Sequence, residues 1–245
     1  KFHAGLPDSA SAYTINNYCV SGLTAIGQAA NMVVSGNANI VLAGGVEMMS
    51  RTPMFADSGV MFADKEVTKS VGAVHPGLSA DLVATQSGIS RRDCDAYAAM
   101  SQQRAAAASA SGAFRSILPV KDETGAIILA QDETIRGNTT EETLATMEPA
   151  FAEIGAKGGN ARLLDLFPDL SAIHHVHHVG NSPAMADGAA LVLLASEAAA
   201  RDNGLASRGR ILATAEACVA ITQTGAVDAT KKALQRAGLT ADQIG

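Results

Sequence analysis

Tryptophan is absent from this chain, and aromatic residues make up only 4% of its 245 positions. A core must therefore be packed from Ala, Val, Leu, Ile and Met, which supply most of the 47% that is hydrophobic. Cysteine is equally sparse. Cys19, Cys94 and Cys218 are odd in number and far apart, which argues against a disulfide framework or a zinc knuckle and points to a reducing setting, a cytoplasm or an organelle matrix. No run of Lys and Arg occurs and the net charge is −6, so a nucleic-acid-binding surface is not expected. A phosphorylated ligand remains open, since one or two well-placed cations suffice for it. No apolar run is long enough to span a membrane. No signal peptide opens the chain, and Lys1-Phe2-His3-Ala4-Gly5 lacks an initiator Met, so the sequence reads as a piece of something longer.

What the chain does have is alanine and 23 glycines, which suit close helix-to-sheet approach in a layered α/β protein. Leu23, Ile26, Ala30, Val33 and Val34 recur at helical spacing, and Gly36 follows as a C-cap. Ile40-Val41-Leu42-Ala43 and the run from Ala189 to Ala195 are continuously apolar and read as strands buried on both faces, as in parallel sheets. Positions 51–80 and 152–170 read as loop, the first with short helices. Ser90-Arg91-Arg92-Asp93 has the form of a capping box opening a helix that runs to about Ser111-Gly112. Short extended pieces flank Thr124-Gly125, and a short helix is expected from Thr140 to Met147. Further strands are expected from His174 to Val179 and from Arg210 to Val219. Ser196 caps a short helix ended by Gly204, and another helix runs from Val227 to Ala237.

Cys19 stands just ahead of the first helix. A thiol there meets unpaired N–H groups and the positive end of the helix dipole, both of which favour the nucleophilic thiolate. Ser21 and Gly22 are small enough to admit an extended ligand. These features make Cys19 a candidate acyl-carrying nucleophile; a small apolar residue at the start of a buried helix is the plainer reading. His174-His175-Val176-His177-His178 invites comparison with a metal site, because alternate strand residues share a face. No Cys, Asp or Glu motif completes such a site, and a polar strand end or a subunit contact fits better. No metal is expected.

Two segments carry a resemblance to a known family. Asn16-Asn17-Tyr18-Cys19-Val20-Ser21-Gly22-Leu23, followed by Gly44-Gly45-Val46-Glu47-Met48-Met49-Ser50, resembles the nucleophile segment of the thiolases, the acetyl-CoA acetyltransferases and 3-ketoacyl-CoA thiolases. Gly180-Asn181-Ser182-Pro183-Ala184-Met185-Ala186-Asp187-Gly188-Ala189-Ala190 is similar to the family's Gly-Asn-x-Ser-x-x-x-Asp-Gly-Ala-Ala segment. Gly77-Leu78-Ser79-Ala80-Asp81 and the helix after Ser90 resemble its loop domain, so the likeness covers nearly the whole chain in order.

The resemblance implies an α/β chain with a layered αβαβα sandwich and an inserted loop domain, incomplete at both ends. Residues 1–50 would belong to the N-terminal thiolase domain, 51–170 to the loop domain, 171–206 to the return into the N-terminal domain, and 207–245 to the start of the C-terminal domain. It implies a CoA-dependent acyltransferase of fatty-acid metabolism and β-oxidation type, forming or cleaving 3-ketoacyl-CoA through an acyl-cysteine at Cys19. CoA and acyl-CoA enter as substrates, no cofactor is permanently bound, and the assembly is a homodimer or homotetramer.

By the same resemblance His75 lines the acyl or pantetheine pocket, Arg136 contacts the CoA nucleotide, and Phe151 belongs to the adenine or pantetheine pocket. Without it, Arg136 is a solvated surface residue and Phe151 simple core packing. Met185 is assigned to CoA binding as well. Pro183 occupies the place of a pantetheine-contacting serine and cannot donate that hydrogen bond, so Ser182 is the candidate replacement. Pro76 stands where the family often has Met. The family's Asn-Glu-Ala-Phe, Gly-His-Pro and Cys-x-Gly segments do not occur here, so these residues by themselves are expected to be inactive. The rival readings are a ketoacyl-synthase-type condensing enzyme, a non-catalytic acyl-CoA- or lipid-binding protein, and a metal-binding protein using His174 to His178.

Overall fold

The computed structural model describes residues 1–219 and 225–244. In chain order the elements are α1 (Ser21–Val34), β1 (Ile40–Glu47), α2 (Val60–Ala63), α3 (Lys65–Ser70), α4 (Pro76–Ser87), α5 (Arg91–Ala110), β2 (Val120–Lys121), β3 (Ile127–Leu129), α6 (Glu141–Ala145), α7 (Ala152–Ile154), α8 (Asn160–Leu166), β4 (Gly188–Ala195), α9 (Glu197–Asp202) and α10 (Ala226–Ala237). A π-helical turn, Gly155–Gly159, joins α7 to α8, and a 3-10 turn, Ala241–Gln243, follows α10. Mixed helix and strand place the chain in the α/β class. The described residues fall into two compact units: Met54–Ala186 with Val219 forms one, and Lys1–Pro53 with Asp187–Cys218 and the α10 segment forms the other.

The discontinuous unit is built on β1 and β4. They pair antiparallel, in a register that sets Ile40 opposite Ala195 and Glu47 opposite Gly188. The expectation of parallel, doubly buried strands is thus corrected. In an antiparallel pair, residues directly opposite one another point to the same face. Val41 and Ala43, with Leu194 and Val192 across from them, take one face, and Gly45 on that face lies against Gly22 of α1. The other face carries Ile40, Leu42, Val46, Leu191 and Leu193, and it is exposed: Val46 retains 75% and Leu191 74% of its accessible surface. Continuous apolarity here marks one covered and one uncovered face. Gly44 is required by the close approach of β4, since a Cβ at that position would collide with the Ala190 carbonyl.

α1 ends as expected, with Gly36 at φ +74 just past the C-cap Ser35. Its apolar stripe is only partly used, for Ala29 is buried while Leu23 stays 71% exposed. Ser196 caps α9 by accepting from the Ala199 N–H, and Gly204 turns the chain in the left-handed region. Positions 210–219 are not a strand. The segment forms no ladder among the described residues and is tied to α10 by Arg236 Nη1, which donates to the Thr214 carbonyl at 2.6 Å, and by Lys232 Nζ, which reaches the Glu216 carbonyl.

The continuous unit packs helices around Leu78, Leu82, Leu163 and Ile173, with Val74, Phe151, Leu164, Phe167 and Leu170 against them. Each such burial contributes about 1.5–3 kcal/mol. Leu78 and Leu82 sit one turn apart on α4, so one helix face supplies two core residues. The capping box at Ser90 forms as read: its side chain accepts from the Asp93 N–H, and Asp93 accepts from the Ser90 N–H. Thr140 and Thr143 cap α6 in the same reciprocal way. β2 and β3 make the hairpin expected around Thr124-Gly125, with Gly125 at φ +86.

Two expectations fail in this unit. Positions 152–170 are largely helical. Gly158, at φ +114, breaks the helical φ/ψ and conceals the continuity between α7 and α8 from any periodicity count. Once past that kink, α8 delivers Leu163 to the core, while its Arg162 donates to the carbonyls of Thr68 and Lys69 at the end of α3. His174 to Val179 is not a strand either. It runs without a ladder, and its backbone N–H groups are taken by side chains instead.

Candidate active site

Cys19 lies two residues before α1 and is exposed. The turn that presents it is strained: Tyr18 adopts φ +50, an uncommon conformation for a residue with a Cβ. A local network holds this geometry. The Asn16 side chain accepts from the Tyr18 N–H at 2.9 Å, Ser21 Oγ donates to the Tyr18 carbonyl at 2.6 Å, and the Asn17 N–H donates to Ser21 Oγ at 2.7 Å. Asn17 Nδ2 reaches Thr24 Oγ1, one turn into α1. The asparagines and Ser21 thus fix the turn on either side of the thiol. Val20 is the N-cap and offers no side-chain acceptor. The Val20 and Ser21 N–H groups are engaged by the carbonyls of Asn17 and Tyr18. Those of Gly22 and Leu23 have no acceptor among the described residues, so the helix start keeps donors for a developing negative charge.

The two sequence motifs meet in this unit. Gly44 to Glu47 pairs with Gly188 to Leu191, and beyond the ladder Asp187 accepts from both the backbone N–H and the hydroxyl of Ser50. Those hydrogen bonds, from the Ser50 hydroxyl first and its N–H second, hold the Asp187 carboxyl below its ordinary pKa. Residues 137 positions apart in sequence thereby clasp the loop that follows β1.

The remaining expected site residues lie in the other unit. His75 is the N-cap of α4, and its Nδ1 accepts from the Gly77 N–H at 3.1 Å. Its ring lies 5.2 Å from that of Phe151, which packs so closely on Gly77 that a Cβ there would collide with it. His75 and Phe151 are therefore brought together. Pro76 takes the first helical position, where a missing N–H costs nothing and the fixed φ suits the helix. Arg136 is exposed, on a loop fixed to α5: its N–H donates to the Gln102 side chain at 2.6 Å, and Gly137 sits against Ala106. Ser182 is half-buried, while Pro183 and Met185 are exposed.

The histidine-rich segment has a different role from any read in the sequence. His175 and His177 do share a side, and both direct Nδ1 to the buried Asp81, each at 2.7 Å. Asp81 also accepts from the N–H groups of Val176 and His177. Burial raises its pKa, but the hydrogen bonds from His177 and His175 and then from the backbone outweigh that, and the net shift is downward. His178, fully buried, reaches Asp95 at 2.8 Å, alongside Arg91 and Asn181. Asp95 is likewise shifted down: burial raises it, and His178, Asn181 and Arg91 more than compensate. No group of three or more His, Cys, Asp or Glu is arranged to hold a metal ion among the described residues. The carboxylates could not be assigned as partners from sequence, because Asp81 and Asp95 sit on helices about 95 and 83 residues upstream with no shared motif.

A family model described as the thiolase N-terminal domain matches residues 1–161. The chain belongs to the thiolase family. It is 38% identical to a 3-ketoacyl-CoA thiolase of Escherichia fergusonii, covering 99% of this chain and 59% of that protein. A 3-ketoacyl-CoA thiolase from a strain of Escherichia coli is 39% identical, and one from Shigella sonnei 38%, over the same shares. The chain thus spans somewhat over half the length of these thiolases. No helix among the described residues is long and apolar enough to cross a membrane.

Proposed function

We propose that this chain carries the acyl-accepting part of a CoA-dependent thiolase, which forms or cleaves 3-ketoacyl-CoA through a thioester on Cys19. The observation behind this reading is the exposed Cys19 in a strained turn at the start of α1, next to two helix-terminal N–H groups without acceptors. Cys19 Sγ attacks the acyl-CoA carbonyl carbon and its proton passes to a base. The carbon–sulfur bond to CoA breaks, the departing sulfur takes that proton back from the base, and CoA leaves as the thiol. Splitting the transfer into two thioester exchanges lowers each barrier. The Gly22 and Leu23 N–H groups supply the oxyanion stabilisation.

In this reading His75 and Phe151 form part of a pantetheine or acyl pocket, and Arg136 meets the CoA phosphates with a guanidinium that no ion pair engages among the described residues. Ser182 replaces the hydroxyl lost at Pro183, with Met185 beside it. Residues 51–170 act as the loop domain, between residues 1–50 and 171–206 of the N-terminal domain, with 207–245 opening the C-terminal domain. The uncovered apolar face of β1 and β4 supports a layered αβαβα arrangement, because such a face needs a further layer against it. Assembly as a homodimer or homotetramer belongs to the same reading.

Pro76 and Pro183 depart from the family's pattern, and such departures favour the rival reading of a non-catalytic binding protein. Pro76 loses that force, since its place at the start of α4 explains it. Incubation of the polypeptide with acetyl-CoA, followed by peptide mass spectrometry, tests the proposal. Cys19 is expected to take an acetyl group at least tenfold faster than the exposed Cys218, with no net thiolysis of acetoacetyl-CoA. Equal labelling of the two would overturn the nucleophile, and turnover of acetoacetyl-CoA would overturn the view that these residues alone are inactive.

A further inference from the structure

The continuous unit holds a second thiol whose surroundings Cys19 chemistry does not use. Cys94, in the first turn of α5, is half-buried, and its Sγ faces His177 Nε2 at 4.0 Å. His177 Nδ1 is bound to Asp81 at 2.7 Å. Asp81 is held ionised and can only accept, so His177 Nδ1 must carry the hydrogen. In the neutral imidazole Nε2 is then the acceptor, and it is the ring nitrogen that faces the thiol. Asp81 is in turn anchored by His175 and by two backbone N–H groups, which fixes the imidazole plane.

The pair opens on a cavity of about 370 Å³. Pro76, Ala80, Val83, Ala84 and Ile89 make its wall, and Ser79, Cys94 and His177 are its polar groups. A mostly apolar hollow with a few convergent polar groups is the usual form of a small-ligand site. Burial first, and then the carboxylates of Asp95, Asp93 and Asp81, push the Cys94 thiol pKa up. Cys94 is therefore a thiol at rest and needs a base at the moment of attack, as a serine does.

We propose that Cys94, His177 and Asp81 form a second acyl-accepting site, which takes short aliphatic acyl groups from thioesters into the α4–α5 cavity. Cys94 Sγ bonds to the acyl carbon while its proton moves to His177 Nε2. Asp81 stabilises the imidazolium, as the carboxylate does in a Ser-His-Asp triad. The carbon–sulfur bond to the donor thiol then breaks, and the departing thiolate takes the proton from His177. No oxidant, reductant or metal is needed. The site stands independently of Cys19, which contributes no group to it.

The test uses the full polypeptide with Cys19→Ser, so that the proposed acyl-CoA site cannot contribute. The probe is the butyryl thioester of N-acetylcysteamine, which lacks the CoA nucleotide, and acylation is followed by peptide mass spectrometry. Cys94 is expected to be butyrylated at least tenfold faster than Cys218, and His177→Gln is expected to slow it by about 10²-fold, the lower range for loss of a general base. Ser79→Phe, which fills the cavity from its α4 wall and leaves Cys94, His177 and Asp81 unsubstituted, is expected to abolish butyrylation while leaving slow reaction with acetyl thioester. Circular dichroism checks that both variants are folded. Labelling of Cys94 no faster than Cys218, or an unchanged rate in Ser79→Phe, would overturn the proposal. If His177→Gln fails to fold, the Ser79→Phe comparison decides alone.

Discussion

Around Cys19 the chain uses backbone groups and exposed polar side chains: a left-handed Tyr18, two asparagines, a serine and the start of a helix. Around Cys94 it uses side chains withdrawn from water, with Asp81 and Asp95 binding three histidines, an asparagine and an arginine. The first arrangement presents a thiol and leaves nearby donors unspent. The second satisfies nearly every buried polar atom, Asn160 Oδ1 being without a partner among the described residues. Exposed networks tolerate the loss of a member because water replaces it, whereas buried ones do not. The two units should therefore respond very differently to substitution.

The largest effect is expected from Asp81→Ala, which leaves His175, His177 and two backbone N–H groups without their acceptor. Loss of one partner in a buried charged cluster costs roughly 3–5 kcal/mol, and urea unfolding of the polypeptide reads it. The pH dependence has a defined sign. The folded pKa values of Asp81 and Asp95 lie below the ordinary 3.8, so their contribution is complete above that value and drains away as pH falls through the lower folded values. Asp81→Asn should flatten the acid limb of the stability curve, and an unchanged limb would assign acid sensitivity to other groups.

Next in size is Gly44→Ala in the strand pair, which forces a Cβ onto the Ala190 carbonyl. Overpacking of this kind costs about 1–3 kcal/mol. Hydrogen exchange should show β1 and β4 losing protection while α4 and α5 keep theirs; loss in both units together would mean that they unfold as one. Ser90→Ala removes half of the α5 capping box and should cost about 1 kcal/mol in a thermal melt. The smallest change in stability, within about 0.5 kcal/mol, is expected for Leu191→Lys on the uncovered strand face. It should nonetheless reduce binding of a hydrophobic dye, because it interrupts a contiguous apolar patch. A large destabilisation would instead mean that this face is packed.

Sequence was most informative where the signal is local. The Ser90 box, the Thr124-Gly125 hairpin and Gly36 after α1 each depend on a few adjacent residues, and all are present. It failed where the deciding partner is distant. The runs at Ile40 and Ala189 identify strands, but their sense and the side they leave bare depend on pairing across the whole intervening unit. His174 to Val179 looked like a strand because its side chains alternate, and they do alternate, but its N–H groups go to Asp81, Asn181 and Thr85 rather than to a neighbouring strand. The family was legible from two motifs. The turn geometry around Cys19 was visible only in part, since helix periodicity locates the thiol but says nothing of the left-handed Tyr18.

The clasp between Ser50 and Asp187 also bears on the order of events during synthesis. Its two halves are separated by 137 residues, so β1 leaves the ribosome well before β4 exists. The intervening stretch can close on its own core in that interval, since domains fold as units and contacts near in sequence form early. The loop after β1 therefore acquires its clasp only after the middle of the chain has settled, and a nascent chain arrested before Asp187 would leave β1 without its β4 partner, as a largely apolar edge.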